Sequence, residues 1–159
     1  MKELKIENED FVAIVDDEDY ERLTQFKWFA RPNKSIYRSK RKGFKCIKTP
    51  LANEVLQNFV NLIDHKDRNP LNNIKNNLRE ASRVENSRNR TKQSGTTSKY
   101  KGVSWDKDRG RWRAYICRRG YAKYIGLFDR EIDAAIAYNN AAKLKFGEFA
   151  VLNIIEGQP

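Results

Sequence analysis

One segment near the middle of the chain, residues 91–99 (TKQSGTTSK), contains no apolar side chain. Small polar and basic residues cannot build a hydrophobic core, so the segment predicts a linker between packed regions. The 159 residues suffice for two small domains with modest cores. Short strand-like runs and helical periodicities occur on both sides of the segment. We therefore expect an α+β protein with two small domains at 1–90 and 99–153, a basic polar linker at 91–98 and a tail at 154–159.

The net charge of +11 is distributed unevenly along the chain. Residues 7–21 contain eight carboxylates and no base, whereas residues 31–48 contain eight bases and no acid. A basic run attracts polyanions through phosphate contacts and counterion release, and this one also contains Tyr37 and Phe44. The pattern favours nucleic acid as the partner, and the acidic run as a surface kept away from it. The candidate contacts in the basic run are Arg38, Lys40 and Arg41.

Other classes of protein fit the composition less well. The longest apolar runs, FVAIV and FAVL, are too short to cross a bilayer. Acidic residues interrupt the N-terminus where a signal peptide needs an apolar stretch. Cys46 and Cys117 lie far apart, and one histidine cannot complete a zinc set with them. We expect free thiols in a reducing, cytoplasmic compartment, and neither a membrane nor a small molecule as partner.

The first region predicts short strands and helices around a polar loop. A helix is expected from about Asp17 with Asp16 as its N-cap, and another after Pro50. The stretch NLIDHKDRNPLNNIKNNLREAS, residues 61–82, predicts a strand, an asparagine-rich loop and a returning strand. The sequence SRVE, starting at Ser82, has the spacing of a capping box that opens a helix.

His65, the one histidine of the chain, directly follows Asp64 at the start of this loop. Histidine side chains titrate near neutrality and can accept a proton from water. Carboxylate and amide oxygens suit Mg²⁺ or Mn²⁺, which can neutralise charge during phosphodiester hydrolysis. The residues alone leave two interpretations open: a polar turn that contains a histidine, or a metal-assisted proton-transfer site.

The second region predicts three strands followed by an alanine-rich helix between Asp129, its expected cap, and Gly147. Alternation within 111–117 separates an apolar face, expected to pack on the helix, from an outward face with Arg111, Arg113 and Tyr115. We expect Lys101, Trp105, Lys107, Arg118 and Arg119 to support that outward face. Such a ribbon either binds a DNA groove or simply keeps the surface soluble, and alternation alone does not decide between the two.

The sequence YKGVSWDKDRGRWRAYI…YIGLFDREIDAAIAYNNAAKLKFGEFAVLN, within residues 98–153, resembles the plant ethylene-response-factor (apetala-type) DNA-binding domain. The resemblance implies a three-stranded antiparallel sheet on one helix that binds the major groove with the sheet. The family's outward positions fall on Lys101, Ser104, Arg111, Arg113, Tyr115, Cys117 and Tyr124. Ser104 and Cys117 replace arginines of that family, so its target sequence does not carry over. The candidate DNA contacts of this region are Lys101, Trp105, Arg111, Arg113, Tyr115, Arg119 and Tyr124.

The pattern D-H…N-P-L-N-N…N-L-R…N-x-x-N resembles the HNH nucleases of the ββα-metal type, in the variant whose last histidine is asparagine. The match implies a ββα core at about 61–90, with His65 as general base and Asp64 as a metal ligand. Asn77 would hold the loop and orient His65, and Asn86 would be the second ligand of one Mg²⁺ or Mn²⁺ ion. Asn89 could assist, whereas Asn69, Asn72 and Asn73 are expected only to shape the turn. The implied phosphate contacts are Arg68, Arg79 and Arg88.

The stretch before the loop is also similar to HNH endonucleases of phages and mobile elements, although Ala52 stands where many have histidine. The order of the two resemblances is that of homing-endonuclease-like proteins. It implies a metal-dependent endonuclease that hydrolyses double-stranded DNA to 5′-phosphate and 3′-hydroxyl ends, anchored by residues 99–153. A monomer would nick, and a homodimer could cut both strands. The implied setting is the nucleoid of a bacterial or phage-infected cell. The alternatives are a catalytically decayed DNA-binding regulator and a basic RNA-associated protein.

Overall fold

A computed structural model of the chain describes residues 1–89, 95, 97–118 and 121–155, apart from the side chains of Arg88 and Arg118. The described residues combine short antiparallel sheets with four α-helices, which confirms the predicted α+β class. The chain divides into two units, residues 1–83 and 84–159. Most of the segment 91–98 lies outside the described residues, so the bounds of the linker stay a prediction.

The first unit begins with two strands that pair antiparallel, β1 (Lys2–Lys5) and β2 (Val12–Val15). Helix α1 (Asp17–Leu23) follows, and Asp16 occupies its N-cap position as predicted. The Asp16 side chain makes no capping hydrogen bond; its carboxylate accepts one from the backbone N–H of Lys75 at 2.7 Å instead. The cap residue of α1 thus also ties the helix to the distant asparagine-rich loop.

A three-stranded antiparallel sheet comes next, in the order β3 (Phe29–Ala30), β4 (Ile36–Lys42), β5 (Lys45–Pro50). Helix α2 (Leu51–Val55) begins directly after Pro50, as predicted. The core of this unit combines apolar residues of its strands, its helices and the segments between them, including Leu4, Val15, Leu23, Trp28 and Leu51. The indole N–H of Trp28 donates to the Leu23 carbonyl oxygen at 2.9 Å, so the largest core side chain is buried with its polar group satisfied.

Strands β6 (Leu62–His65) and β7 (Leu78–Ala81) form a two-stranded antiparallel ladder that closes the asparagine-rich loop. A 3-10 turn, Lys75–Asn77, leads into β7. Helix α3 (Arg83–Arg88) follows at the predicted place, and the division between the two units falls after its first residue. The predicted strand–loop–strand–helix order is therefore present along the chain.

The second unit contains an antiparallel sheet in the order β8 (Val103–Asp106), β9 (Arg111–Arg118), β10 (Tyr121–Phe128). Helix α4 (Glu131–Phe146) packs its alanines on one face of this sheet, and Gly147 ends it as predicted. The prediction that Asp129 caps the helix is wrong: Arg130 takes the N-cap position, and the Asp129 carboxylate accepts a hydrogen bond from the Arg111 guanidinium at 2.8 Å.

Gly102 allows the helix to lie close to the sheet. Its φ of +75° belongs to the left-handed region, and a Cβ there would stand 2.1 Å from the Tyr138 ring. The ring itself is deeply buried, and burial raises the pKa of the Tyr138 hydroxyl to about 12. The close approach of sheet and helix in this unit thus depends on the missing side chain.

Cys46 and Cys117 are both exposed free thiols, as expected. Within the part of the chain that the structure covers, no helix is long and apolar enough to span a membrane.

Candidate functional site

The ladder between β6 and β7 positions the two residues that the sequence singles out. Asp64 lies opposite Arg79 and His65 lies opposite Leu78, at the end of β6 where the loop begins. Neighbouring residues of a strand point to opposite faces. Asp64 is buried accordingly, at 5% exposure, whereas His65 is half-buried.

Asp64 is held by its cross-strand neighbour. The Nε and Nη2 atoms of Arg79 both donate to Oδ2 of Asp64, at 3.0 and 2.8 Å, and the Arg79 side chain is only 10% exposed. A buried carboxylate needs such charge-assisted hydrogen bonds. Arg79 therefore orients the Asp64 carboxylate, a role that its place in the sequence did not indicate; its phosphate contact stays a prediction.

The His65 imidazole is oriented by Asn73, a buried residue of the asparagine-rich loop. The Nε2 atom lies 3.1 Å from Oδ1 of Asn73, which is 1% exposed. Nδ2 of Asn73 donates to the Pro70 carbonyl oxygen at 2.9 Å, so its Oδ1 is the atom turned toward the imidazole. An amide oxygen can only accept a hydrogen bond, which assigns the proton to Nε2 and the lone pair of the neutral ring to Nδ1.

Asn77 holds the loop, which is one half of its predicted role. Its Oδ1 accepts from the backbone N–H of Asp67 at 3.0 Å, and its Nδ2 donates to Oδ1 of Asp67 at 2.9 Å and to the Asn72 carbonyl at 2.7 Å. His65 Nε2 donates a hydrogen bond to Asn73, which the sequence assigned only to the turn, and the orienting role of Asn77 toward His65 stays a prediction. Five asparagines in one loop offer no sequence signal that separates these two roles.

Asp67 lies at the centre of the same network. Partial burial alone would raise the pKa of its carboxyl, but three groups outweigh that effect and lower it: the backbone N–H of Asn69 and the side-chain amides of Asn77 and Asn72. The positive charge that His65 can carry acts in the same direction. The turn that follows His65 is therefore built around an ionised carboxylate.

Residues of the acidic run, 7–21, bind the asparagine-rich loop and hold it against the rest of the first unit. The backbones of Ile14 and Asn73 are hydrogen-bonded at 2.8 Å. The Lys75 ammonium group binds the carboxylates of Glu18 and Asp19, the latter at 3.0 Å. These contacts raise the pKa of Lys75, mainly through the hydrogen bond to Glu18. Part of the acidic run thus supports the site, beyond its expected role as a surface kept away from nucleic acid.

The donor types at this site fit a hard divalent cation, because the Asp64 carboxylate is a preferred ligand of Mg²⁺. In the part of the chain that the structure describes, no group of three His, Cys, Asp or Glu side chains is arranged to hold a metal ion. Asn86 is half-buried on α3, beyond the division between the units, and Asn89 is buried one turn later. The metal roles of Asp64 and Asn86 stay predictions.

Ala52 contributes no polar group to a site. Its side chain is 5% exposed and belongs to the hydrophobic core of the first unit. The position at which many HNH endonucleases have histidine is therefore a packing position in this chain.

The cations predicted to bind DNA in the first region differ in their surroundings. The Nε atom of Arg38 donates to Oε2 of Glu54 at 2.8 Å, and its guanidinium lies 4.4 Å from the Phe26 ring centre. Lys40 and Arg41 are exposed on the β4–β5 hairpin. Arg68 is exposed in the turn after His65, with φ of +64°. The Arg88 side chain lies outside the described residues.

The outward face of the β8–β10 sheet carries four of the predicted contacts, Arg111, Arg113, Tyr115 and Tyr124. Arg113 and Tyr115 are outward residues of β9, and Tyr124 is the cross-strand partner of Tyr115. Arg111 pairs with Asp129 at 2.8 Å, and Arg113 lies 3.8 Å from Asp106. Lys101 is half-buried before β8, with its backbone N–H on Asn153. Arg119 lies outside the described residues.

The expected place of Trp105 on that outward face is wrong. In the register of β8 and β9, Trp105 is the partner of Trp112. The next pair on the same face, two residues along each strand, is the buried pair Val103 and Ala114. The Trp105 ring packs edge-on against Trp112, with centroids 5.0 Å apart, and is 37% exposed. Trp105 therefore shares the helix-side face at its edge, because residues opposite each other in a ladder point the same way.

Comparisons with known proteins add two relatives. Protein 3.8 of Escherichia phage T7 is 47% identical over 89 residues, which cover 55% of this chain and 72% of that protein. A protein of Acanthamoeba polyphaga mimivirus, named an uncharacterized HNH endonuclease, is 37% identical over 94 residues, which cover 59% of this chain and 48% of that protein. No protein-family model matches the chain, and no solved structure matches it. Because the match to the phage protein spans more than two thirds of that protein's length, this chain belongs to the same family as protein 3.8 of phage T7.

Proposed function

We propose that the chain is a metal-dependent DNA endonuclease of the HNH type with His65 as its general base. The observation that carries the proposal is the hydrogen bond from His65 Nε2 to the buried Asn73 amide, because it assigns the basic lone pair to Nδ1. The name of the mimivirus relative supports the same reaction class. The net charge of +11 supports a polyanionic substrate.

In the proposed reaction, Nδ1 of His65 takes a proton from a water molecule, and the resulting hydroxide attacks the phosphorus atom. The bond to the 3′-oxygen breaks, and that oxygen leaves as a 3′-hydroxyl after protonation, so the product carries a 5′-phosphate. A bound Mg²⁺ or Mn²⁺ ion would supply positive charge to the phosphate and the leaving oxygen. Asp64, oriented by Arg79, and Asn86 are the proposed ligands.

The proposed substrate is double-stranded DNA, and the second unit is its proposed anchor. Arg68, exposed three residues after His65, is the proposed phosphate contact beside the site. A monomer with one such site nicks one strand, and a homodimer cuts both. We place this reaction in the cytoplasm of a phage-infected host, because one relative is a phage protein.

The test is nicking of supercoiled plasmid with Mg²⁺ or Mn²⁺ by the full chain and by His65→Ala. We expect the variant to lose nicking and to keep duplex affinity within about twofold, because the half-buried His65 acts on water rather than on DNA binding. Undiminished nicking by His65→Ala, or an equal loss of binding and nicking, would overturn the assigned role.

Asn73→Ala tests the orienting contact separately. Removing the acceptor for Nε2–H should lower kcat by about tenfold with KM unchanged, because outer partners that orient a histidine have effects of this size. Asn76→Ala removes an exposed amide from the same loop and is the matched control. Equal kcat values for the two variants would contradict the role of Asn73.

The second candidate is a DNA-binding regulator that has lost cleavage. The burial of Ala52 in the core favours it, since that position cannot supply a catalytic group. A regulator would shift duplex DNA in a gel without nicking it in either Mg²⁺ or Mn²⁺. Preferential binding of RNA over duplex DNA would favour the RNA-associated alternative instead.

A further inference from the structure

We propose that the β4–β5 hairpin enters the major groove of duplex DNA, with Phe44 at its tip against the base edges. This inference rests on the proposed function, since it takes duplex DNA as the substrate. It adds a recognition element that is separate from the loop around His65.

The hairpin is a projecting arm. All ten residues from Ser39 to Lys48 are exposed, although they form a regular antiparallel ladder. Arg38, fixed by Glu54 and packed on Phe26, is the last anchored residue of β4. Strands rise roughly 3.3 Å per residue, so the four residues after Arg38 carry the tip roughly 13 Å outward.

The charge of the arm fits a groove better than a flat surface. Residues opposite each other in the ladder share a face, so Lys40, Lys42 and Lys45 lie on one face. Arg41 and Lys48 lie on the other. Residues 39–48 contain no acid, and within the described chain Lys40, Arg41, Lys42 and Lys45 have no ion-pair partner. Cations on both faces match a cleft with phosphates on both walls, whereas a membrane would meet one face.

The dimensions select the major groove. Paired strands lie about 4.8 Å apart, and with side chains a two-stranded ribbon fits a groove about 12 Å wide but not one about 6 Å wide. Gly43 and Phe44 form the turn, and the Phe44 ring is fully exposed. At the tip of an inserted ribbon this ring meets base edges, where the thymine methyl group is the apolar partner.

The experiment measures binding by the full chain carrying His65→Ala, so that cleavage does not interfere. One duplex of mixed sequence is prepared with thymine and, by amplification with dUTP, with uracil, so that only the major-groove methyl groups differ. We expect Phe44→Ala to bind the thymine duplex about tenfold more weakly, since the ring loses its buried contact. The preference for thymine over uracil should disappear in the same variant. The Phe44 side chain is fully exposed, so its truncation removes no core packing and should leave the fold intact.

Phe59→Ala is the matched control, because Phe59 is an exposed phenylalanine of the same unit, in the loop before β6. It should bind like the parent protein. Unchanged affinity in Phe44→Ala, or a thymine preference that survives it, would overturn the inference. Tighter binding to single-stranded DNA, duplex RNA or phosphatidylserine vesicles, or a dimer that depends on Phe44, would do the same. If wild-type protein neither binds nor nicks duplex DNA, the proposed function fails as well; if it nicks and Phe44→Ala is unaffected, only the inference fails.

Discussion

Two basic strand surfaces of this chain, the β4–β5 hairpin and the outward face of the β8–β10 sheet, differ in what surrounds their cations. The hairpin projects with both faces in solvent and no acid among residues 39–48. The sheet is covered on one face by α4, and its arginines Arg111 and Arg113 lie beside Asp129 and Asp106. The hairpin cations can meet a ligand directly, whereas those of the sheet must first exchange an ion pair.

The difference also concerns stability. A two-stranded hairpin without a packed face adds little to a core, while a sheet packed on a helix depends on close contact. We therefore expect substitutions in the sheet to act mainly on folding and substitutions in the hairpin to act mainly on binding.

The largest expected effect is that of Gly102→Ala. The new Cβ would overlap the Tyr138 ring at 2.1 Å, and the backbone has a positive φ, so the second unit should lose more than about 4 kcal/mol of unfolding free energy. Gly43→Ala, at φ +60° in the open hairpin turn, should cost only about 1 kcal/mol. Hydrogen exchange by mass spectrometry, analysed for each unit, measures both. Equal costs at the two glycines would show that the sheet and the hairpin do not differ in their dependence on close packing.

A smaller effect is expected on DNA binding from Lys40→Gln, Lys42→Gln and Lys45→Gln combined. The logarithm of the affinity should then fall less steeply with the logarithm of salt concentration, by about three in slope, since each phosphate contact contributes about 0.9. Arg111→Gln with Arg113→Gln should change the slope by less than about two, because those arginines are already paired. Fluorescence anisotropy titrations in a His65→Ala background provide the slopes. Equal slope changes per cation would show that the ion pairs do not matter.

Asp129→Asn tests the effect of the Arg111–Asp129 ion pair by removing the acid instead of the base. It releases Arg111, and duplex affinity should rise about twofold, the size expected when an exposed ion pair is removed. Asp133→Asn is the control, since it removes the same charge from the first turn of α4 while the ion pair of Arg111 is with Asp129. An equal gain in both variants would assign the effect to net charge alone.

The smallest expected effect is on the stability of the second unit at acidic pH. Burial would raise the pKa of Asp106, but hydrogen bonds from the backbone and side chain of Arg109, with the charges of Arg109 and Arg113, lower it. A carboxyl with a lowered folded pKa stabilises above its unfolded pKa of about 3.9, and that contribution is lost as pH falls through the folded value. Asp106→Asn should therefore reduce the stability of the second unit at pH 7 and flatten its loss below about pH 4. Acid unfolding monitored by tryptophan fluorescence, with Asp108→Asn as control, checks this.

The strands and helices, and their order around the candidate site, follow largely from local sequence patterns. Period-two alternation located β9, Pro50 marked the start of α2, and Gly147 marked the end of α4. The apolar runs and the capping-box spacing at Ser82 predicted the strand, loop, returning strand and helix of residues 61–90. Local patterns did not separate Asn73 from Asn77, because both are asparagines of one loop. They also placed Trp105 on the wrong face, since its side depends on the register with β9.

The order of amino acids sets which groups are available: one imidazole beside a carboxylate, an acid-free basic run with a phenylalanine at its turn, and two regions separated by a polar segment. Which of these groups are engaged in hydrogen bonds and ion pairs depends on the folded chain. Arg79 holds Asp64, Asn73 orients His65, and Glu54 fixes Arg38 while Lys40, Lys42 and Lys45 stay exposed. The physical reason is that hydrogen bonds and ion pairs act over about 3 Å, and only the folded chain brings distant residues within that reach.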